Sequence, residues 1–99
     1  MTKEDITPRE ELAALGFNAA LRLLGLHRNL KAHEAVEYVA AKMERAVPHI
    51  KQYQKVGVPP HAVPKVLEIM KENNIPFAKY QLQPTQRVID MHQWRKTKC

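Results

Sequence analysis

Thr7-Pro8-Arg9-Glu10-Glu11-Leu12-Ala13-Ala14-Leu15-Gly16-Phe17 is the stretch that decides the fold class. A threonine, a proline and a glutamate at this spacing mark a helix start. Thr7 caps, Pro8 occupies the first turn, where no amide partner is needed, and Glu10 reaches back to the cap. Beyond it Leu12, Leu15, Ala19, Leu23 and Leu26 recur at steps of three and four, which predicts one buried stripe. Phe17, Leu21 and Leu24 form a second stripe on a neighbouring face, so the apolar arc is wider than one partner helix would cover. The helix is therefore either central to a core or partly committed elsewhere, with Phe17, Leu21 and Leu24 the candidate dimer or partner face. Gly16 in mid-helix costs about 1 kcal/mol relative to alanine and permits a close helix crossing.

Working outward, Gly25 is expected to close this helix and Leu26-His27-Arg28-Asn29 to form the turn. Asn29 then caps a second helix reaching about Val47, with Leu30, Val36, Val39, Ala40, Met43 and Val47 as its stripe. Pro48 either kinks that helix or starts a short new one to about Val56. Residues 1–47 thus read as a helical hairpin whose role is structural. The second half is cut by Pro48, Pro59, Pro60, Pro64, Pro76 and Pro84. Gly57-Val58-Pro59-Pro60 reads as a rigid turn. A helix from about Pro64 to Asn74 follows, burying Val66, Leu67, Ile69 and Met70. Ile75–Leu82 partly alternates and is expected to be extended, away from any sheet centre. Thr85 caps a last helix holding Arg87, Val88, Ile89, Met91 and Trp94. The whole is a single small all-α domain, 1–99, of four to five helices.

Charge divides the chain differently. Seven Lys/Arg and seven Asp/Glu balance in residues 1–47, whereas nine Lys/Arg oppose only Glu68, Glu72 and Asp90 in residues 48–99. The entire net charge of +6 belongs to the second half. A one-sided surplus points to a polyanionic partner, nucleic acid first, or to an acidic protein surface. Lys51-Gln52-Tyr53-Gln54-Lys55 puts two lysines on one helix face around an aromatic. Arg87, Trp94, Arg95, Lys96 and Lys98 repeat the combination near the C-terminus. Cations neutralise phosphates and release counterions, while aromatic rings stack on unpaired bases. The candidate nucleic-acid-binding residues are therefore Lys51, Tyr53, Lys55, Lys65, Arg87, Trp94, Arg95, Lys96 and Lys98. The competing reading makes Tyr53 and Trp94 core or rim residues and the lysines a solvated face.

Gly57, Val58, Val63 and Lys65 fall where a glycine–valine turn, an apolar residue and a basic residue occur in a known motif. The segment 57–67 resembles the turn and recognition helix of helix-turn-helix repressors, which implies a second helix entering the major groove of DNA. Two positions depart from that pattern. Tyr53, four residues before the glycine, stands where a small residue lets the helices approach. Pro64 would be the fifth residue of a helix begun at Pro60, so a start at Pro64 is physically better. The alternative is an ordinary helix–turn–helix corner.

Other chemistry has little footing. The spacings of His27, His33, His49, His61 and His92 match no zinc pattern. His33-Glu34 lacks the second histidine of a metallopeptidase helix. The three glycines are isolated, the chain holds no serine, and Cys99, the single cysteine, cannot form an internal disulfide. Neither an enzyme, a metal nor a cofactor is expected. No run of some eighteen apolar residues suggests a membrane span, Met1–Asp5 does not read as a secretory signal, and the lone cysteine favours a reducing, cytoplasmic setting. Two functions follow, in order: a small basic nucleic-acid-binding protein, with a regulator among the roles open to it, and a protein-interaction adaptor or inhibitor that docks on an acidic surface of a larger complex.

Overall fold

Thr7 caps the first helix as its sequence requires. In the computed structural model, which describes residues 7–98 and side chains as far as Arg95, the Glu10 amide donates to Thr7 Oγ1 at 3.2 Å and the Thr7 amide donates to Glu10 Oε1 at 2.9 Å. From this box α1 runs Pro8–Arg28 and stops at Asn29, whose φ of 57° lies in the left-handed region. Gly25 does not end the helix; its carbonyl accepts the capping amide of Asn29. Asn29 thus closes α1 rather than opening the next helix. α2 is Ala32–Met43, where the Lys31 amide donates to the Glu34 carboxylate at 2.7 Å. It ends four residues short of Val47 because Glu44 turns left-handed, with φ 56°.

α3, Val47–Val56, uses Pro48 in its first turn, where a missing amide is harmless. A 3-10 turn at Pro60–Ala62 leads into α4, Val63–Glu72, which likewise carries a proline in its first turn. Lys79–Leu82 is a single helical turn, α5, and Gln86–Lys98 is α6. Six α-helices and no β-strand occur among the described residues. The expectation of an all-α domain holds. Ile75–Leu82 corrects the sequence reading, since its second half is helical.

α1 is the axis of the molecule, with α2, α3, α5 and α6 all packed on it. Its inward face is Ala13, Ala14, Phe17, Ala20, Leu21 and Leu24. Of these, Phe17, Ala20, Leu21 and Leu24 meet Val39, Ile50, Val63, Ile69, Met70 and Leu82 in one core that runs through both halves of the chain. Fully burying an aliphatic or aromatic side chain of this kind contributes about 1.5–3 kcal/mol. The supposed partner face is therefore interior: Phe17 is 0% exposed and Leu24 1%. The face expected to be buried is the outer one, where Leu15 is 54% and Leu26 77% exposed.

Close approaches make this packing possible. A methyl on Gly16 would overlap the Gln81 carbonyl, so α5 crosses α1 where a side chain is missing. Gly57, with φ 92°, ends α3 against Ala13, and a methyl there would overlap the Ala13 Cβ. Asn18 and Gln54 join α1 to α3 through a pair of 3.0 Å hydrogen bonds. Arg9 Nη1 donates to the Pro84 carbonyl at 2.8 Å, fixing the link between α5 and α6 to the start of α1.

Candidate nucleic-acid interface

The α3 sequence VPHIKQYQKV sorts cleanly by helical period. Ile50 and Tyr53 point inward and are buried, so Lys51, Gln52 and Lys55 occupy the outward side and are exposed. No carboxylate lies on α3, nor anywhere between Glu44 and Glu68. Two lysine ammonium groups one turn apart therefore face solvent with no carboxylate on their own helix. Tyr53 does not join them. It is 8% exposed and packs edge-on against Phe17, with ring centroids 5.8 Å apart at 84°. Proposing it as a stacking platform is thus corrected by the geometry: the ring fills the α1–α3 interface, and its period places it opposite the lysines.

α6 arranges its residues the other way. Ile89, 6% exposed, packs inward, and His92 Nε2 lies 3.0 Å from Glu11 Oε1 on α1. Thr85 Oγ1 accepts the Val88 amide at 3.3 Å, as a capping residue should. With that side held down, Arg87, Met91 and Trp94, at steps of four and three, share the outward side. Arg95 adjoins them and is exposed. Trp94 is 62% and Met91 51% exposed. The side chains of Lys96 and Lys98 lie outside the described residues, as do Met1–Asp5 and Cys99.

Three cations elsewhere have partners. Lys65 Nζ lies 3.4 Å from Glu68 Oε1, so its charge is partly offset. Lys42 Nζ lies 3.0 Å from Glu72 Oε1, and that hydrogen bond and charge hold its pKa above the ordinary lysine value of 10.5. Arg28 donates to Asn73 Oδ1 at 2.9 Å and sits 4.5 Å over the Tyr38 ring. The structure thus brings Arg87, Trp94 and Arg95 together on α6 and Lys51 with Lys55 on α3, while Lys65 stands apart on α4.

The segment 57–67 forms a wide corner. Gly57–Ala62 separates α3 from α4, and α4 packs on α2 and α5. Tyr53 turns to α1, and Pro64 lies in the first turn of α4. Both departures from the repressor pattern therefore have structural counterparts, and the tight helix pair of that motif is not formed.

Sequence reasoning passed over Arg9, Lys79 and Tyr80. They line a shallow pocket of about 490 Å³ with Gln83, Pro84 and Thr85. The adjacent Lys79-Tyr80 pair was a visible basic–aromatic signal, but Arg9 is remote in sequence and only the fold brings it there. No helix among the described residues is long and apolar enough to cross a membrane. No protein-family model matches the chain, and no curated protein or solved structure is significantly similar to it.

Proposed function

We propose that this is a non-enzymatic, small basic protein that binds nucleic acid through its C-terminal half. The presentation of Trp94 on the outward side of α6, between Arg87 and Arg95, carries the reading. A large aromatic ring 62% exposed forgoes much of the burial that would stabilise it in a core. Guanidinium groups two turns before it and one residue after it on the same helix can neutralise the phosphates of a strand whose base stacks there. Lys51 and Lys55 on α3 supply a second, carboxylate-free phosphate contact. Single strands are the favoured ligand, because stacking needs an unpaired base.

Trp94 is the sole tryptophan, so its own fluorescence reports on the event. Titration with a single-stranded oligonucleotide should quench it saturably at low salt, with a blunted response to duplex. Trp94→Ala should weaken binding by about 1–3 kcal/mol, the value of one stacked base. Unchanged fluorescence together with no anisotropy change of a labelled strand at low salt would reject the assignment.

One observation favours a second reading, a protein-interaction adaptor or inhibitor. Leu15, Leu23 and Leu26 lie exposed along the outer face of α1. A solvated apolar line of this kind suits a helical partner or a second copy. Light scattering over a range of concentrations separates those two occupants.

A further inference from the structure

The first turn of α1, the single turn α5 and the link from Gln83 to Thr85 meet at one place. Arg9, Lys79, Tyr80, Gln83, Pro84 and Thr85 line the resulting pocket of about 490 Å³. Its lining holds two cations, a phenol, an amide and a hydroxyl, and no carboxylate. Arg9 is held rather than loose: Nη1 donates to the Pro84 carbonyl at 2.8 Å and Nη2 to Gln86 Oε1 at 3.2 Å. Both acceptors are neutral, so the guanidinium is oriented without a direct carboxylate hydrogen bond at these two nitrogens, and a guanidinium carries five donors in all. The nearby acids are turned to other duties. Glu10 Oε1 accepts from the Thr7 amide and hydroxyl, at 2.9 and 3.1 Å, and Asp90 Oδ1 accepts from Gln86 Nε2 at 2.9 Å. Lys79 is exposed, and Tyr80 beside it is 58% exposed.

We propose that this pocket binds a nucleotide unit, with its phosphate between Arg9 and Lys79 and its base against the Tyr80 ring. An oriented guanidinium and a mobile ammonium suit a phosphate oxygen set, the first by geometry and the second as a point charge. The adjoining phenol ring gives the base a face to lie on. A free mononucleotide and one unit of a strand present this same chemistry. The assignment rests on the nucleic-acid reading for its choice of ligand, but it uses none of the residues that carry that reading.

Adenosine 5′-monophosphate, adenosine and inorganic phosphate are titrated into the full chain while amide resonances are followed by NMR. The mononucleotide should shift Arg9, Lys79, Tyr80 and Thr85 saturably, with phosphate alone acting at the same amides more weakly. Lys79→Gln should lower mononucleotide affinity about tenfold or more, as loss of a hydrogen bond from a charged group does. Tyr80→Ala should weaken the mononucleotide and leave inorganic phosphate unchanged. Both side chains are exposed, so these variants test the pocket even if Arg9→Gln loosens α6. Mononucleotide shifts that fail to saturate, or that ignore both substitutions, overturn the proposal. Titrating a labelled single strand into Trp94→Ala and Lys79→Gln separates the two readings. Strand binding lost only with Trp94→Ala removes the pocket and keeps the interface. Mononucleotide binding lost with Lys79→Gln, in a chain that binds no strand, keeps the pocket and removes the interface.

Discussion

At Gly16 two effects of opposite sign meet. Alanine is the better helix former by about 1 kcal/mol, and in an isolated helix the substitution would stabilise. Here the added methyl would overlap the Gln81 carbonyl, and backbone yields less readily than a flexible side chain. Overpacking typically costs about 1–3 kcal/mol, so Gly16→Ala should be net destabilising, read as a lower urea midpoint at unchanged slope. A raised midpoint would mean that α5 does not rest on α1. Asn73 is the second sensitive residue. It is 5% exposed, accepts from Arg28, and donates to Tyr38 Oη at 3.1 Å and to the Ile69 carbonyl at 2.8 Å. Asn73→Ala removes three side-chain hydrogen bonds at the end of α4, while the Ile69 carbonyl keeps the backbone amide of residue 73 at 3.2 Å. A loss of about 1–3 kcal/mol is expected in the same denaturation experiment.

Helix α1 shows what an element's sequence can and cannot convey. Its start and the close crossing at Gly16 were legible, because capping and glycine geometry are local; its end was not, since Gly25 was expected to close it and α1 runs on to Arg28. Its orientation was not legible either. Leu12, Leu15, Ala19, Leu23 and Leu26 repeat as regularly as Phe17, Leu21 and Leu24, so periodicity offers two candidate faces and no choice between them. The small residues decided it. Ala13, Ala14 and Ala20 flank Phe17 and let neighbouring helices come close, and all three are buried. Leu15→Glu should therefore change stability by no more than about 0.5 kcal/mol, whereas Phe17→Ala should cost about 3–5 kcal/mol. Thermal melts of the two variants check the inversion directly. The candidate site was legible in the same uneven way. Exposure of Lys51, Lys55, Arg87 and Arg95 follows from helical period and charge. The fates of the two aromatics do not, since Tyr53 had an edge-on partner in Phe17, 36 residues earlier in the chain, and Trp94 presents most of its surface to solvent.

For the molecule as a whole, the surplus of +6 matters less than where it is uncompensated. Lys42 and Lys65 have carboxylate neighbours, and Arg28 is tied to Asn73, so none of these is a strong candidate for releasing counterions from a polyanion. Of the rest, the four assigned to the interface lie on two separate helices, both joined to α1: Lys51 and Lys55 on α3, Arg87 and Arg95 on α6, while Arg22, Lys31, Arg45, Lys71 and Lys79 are exposed elsewhere. If one single strand engages all four, the logarithm of its affinity should fall with the logarithm of salt concentration at a slope of about −3, near −0.7 per phosphate neutralised. Reversing only Lys51 and Lys55 to glutamate should then flatten the slope by at least about 1.4, two contacts' worth, while Trp94 remains quenched by the strand. Anisotropy of a labelled oligonucleotide at several salt concentrations gives the slope, and tryptophan fluorescence gives the stacking in the same cuvette. A slope that the α3 reversal leaves untouched would confine the interface to α6. Loss of both signals on reversing α3 would instead mean that α6 cannot hold the strand once α3 repels it, with α1 as the rigid spacer between them.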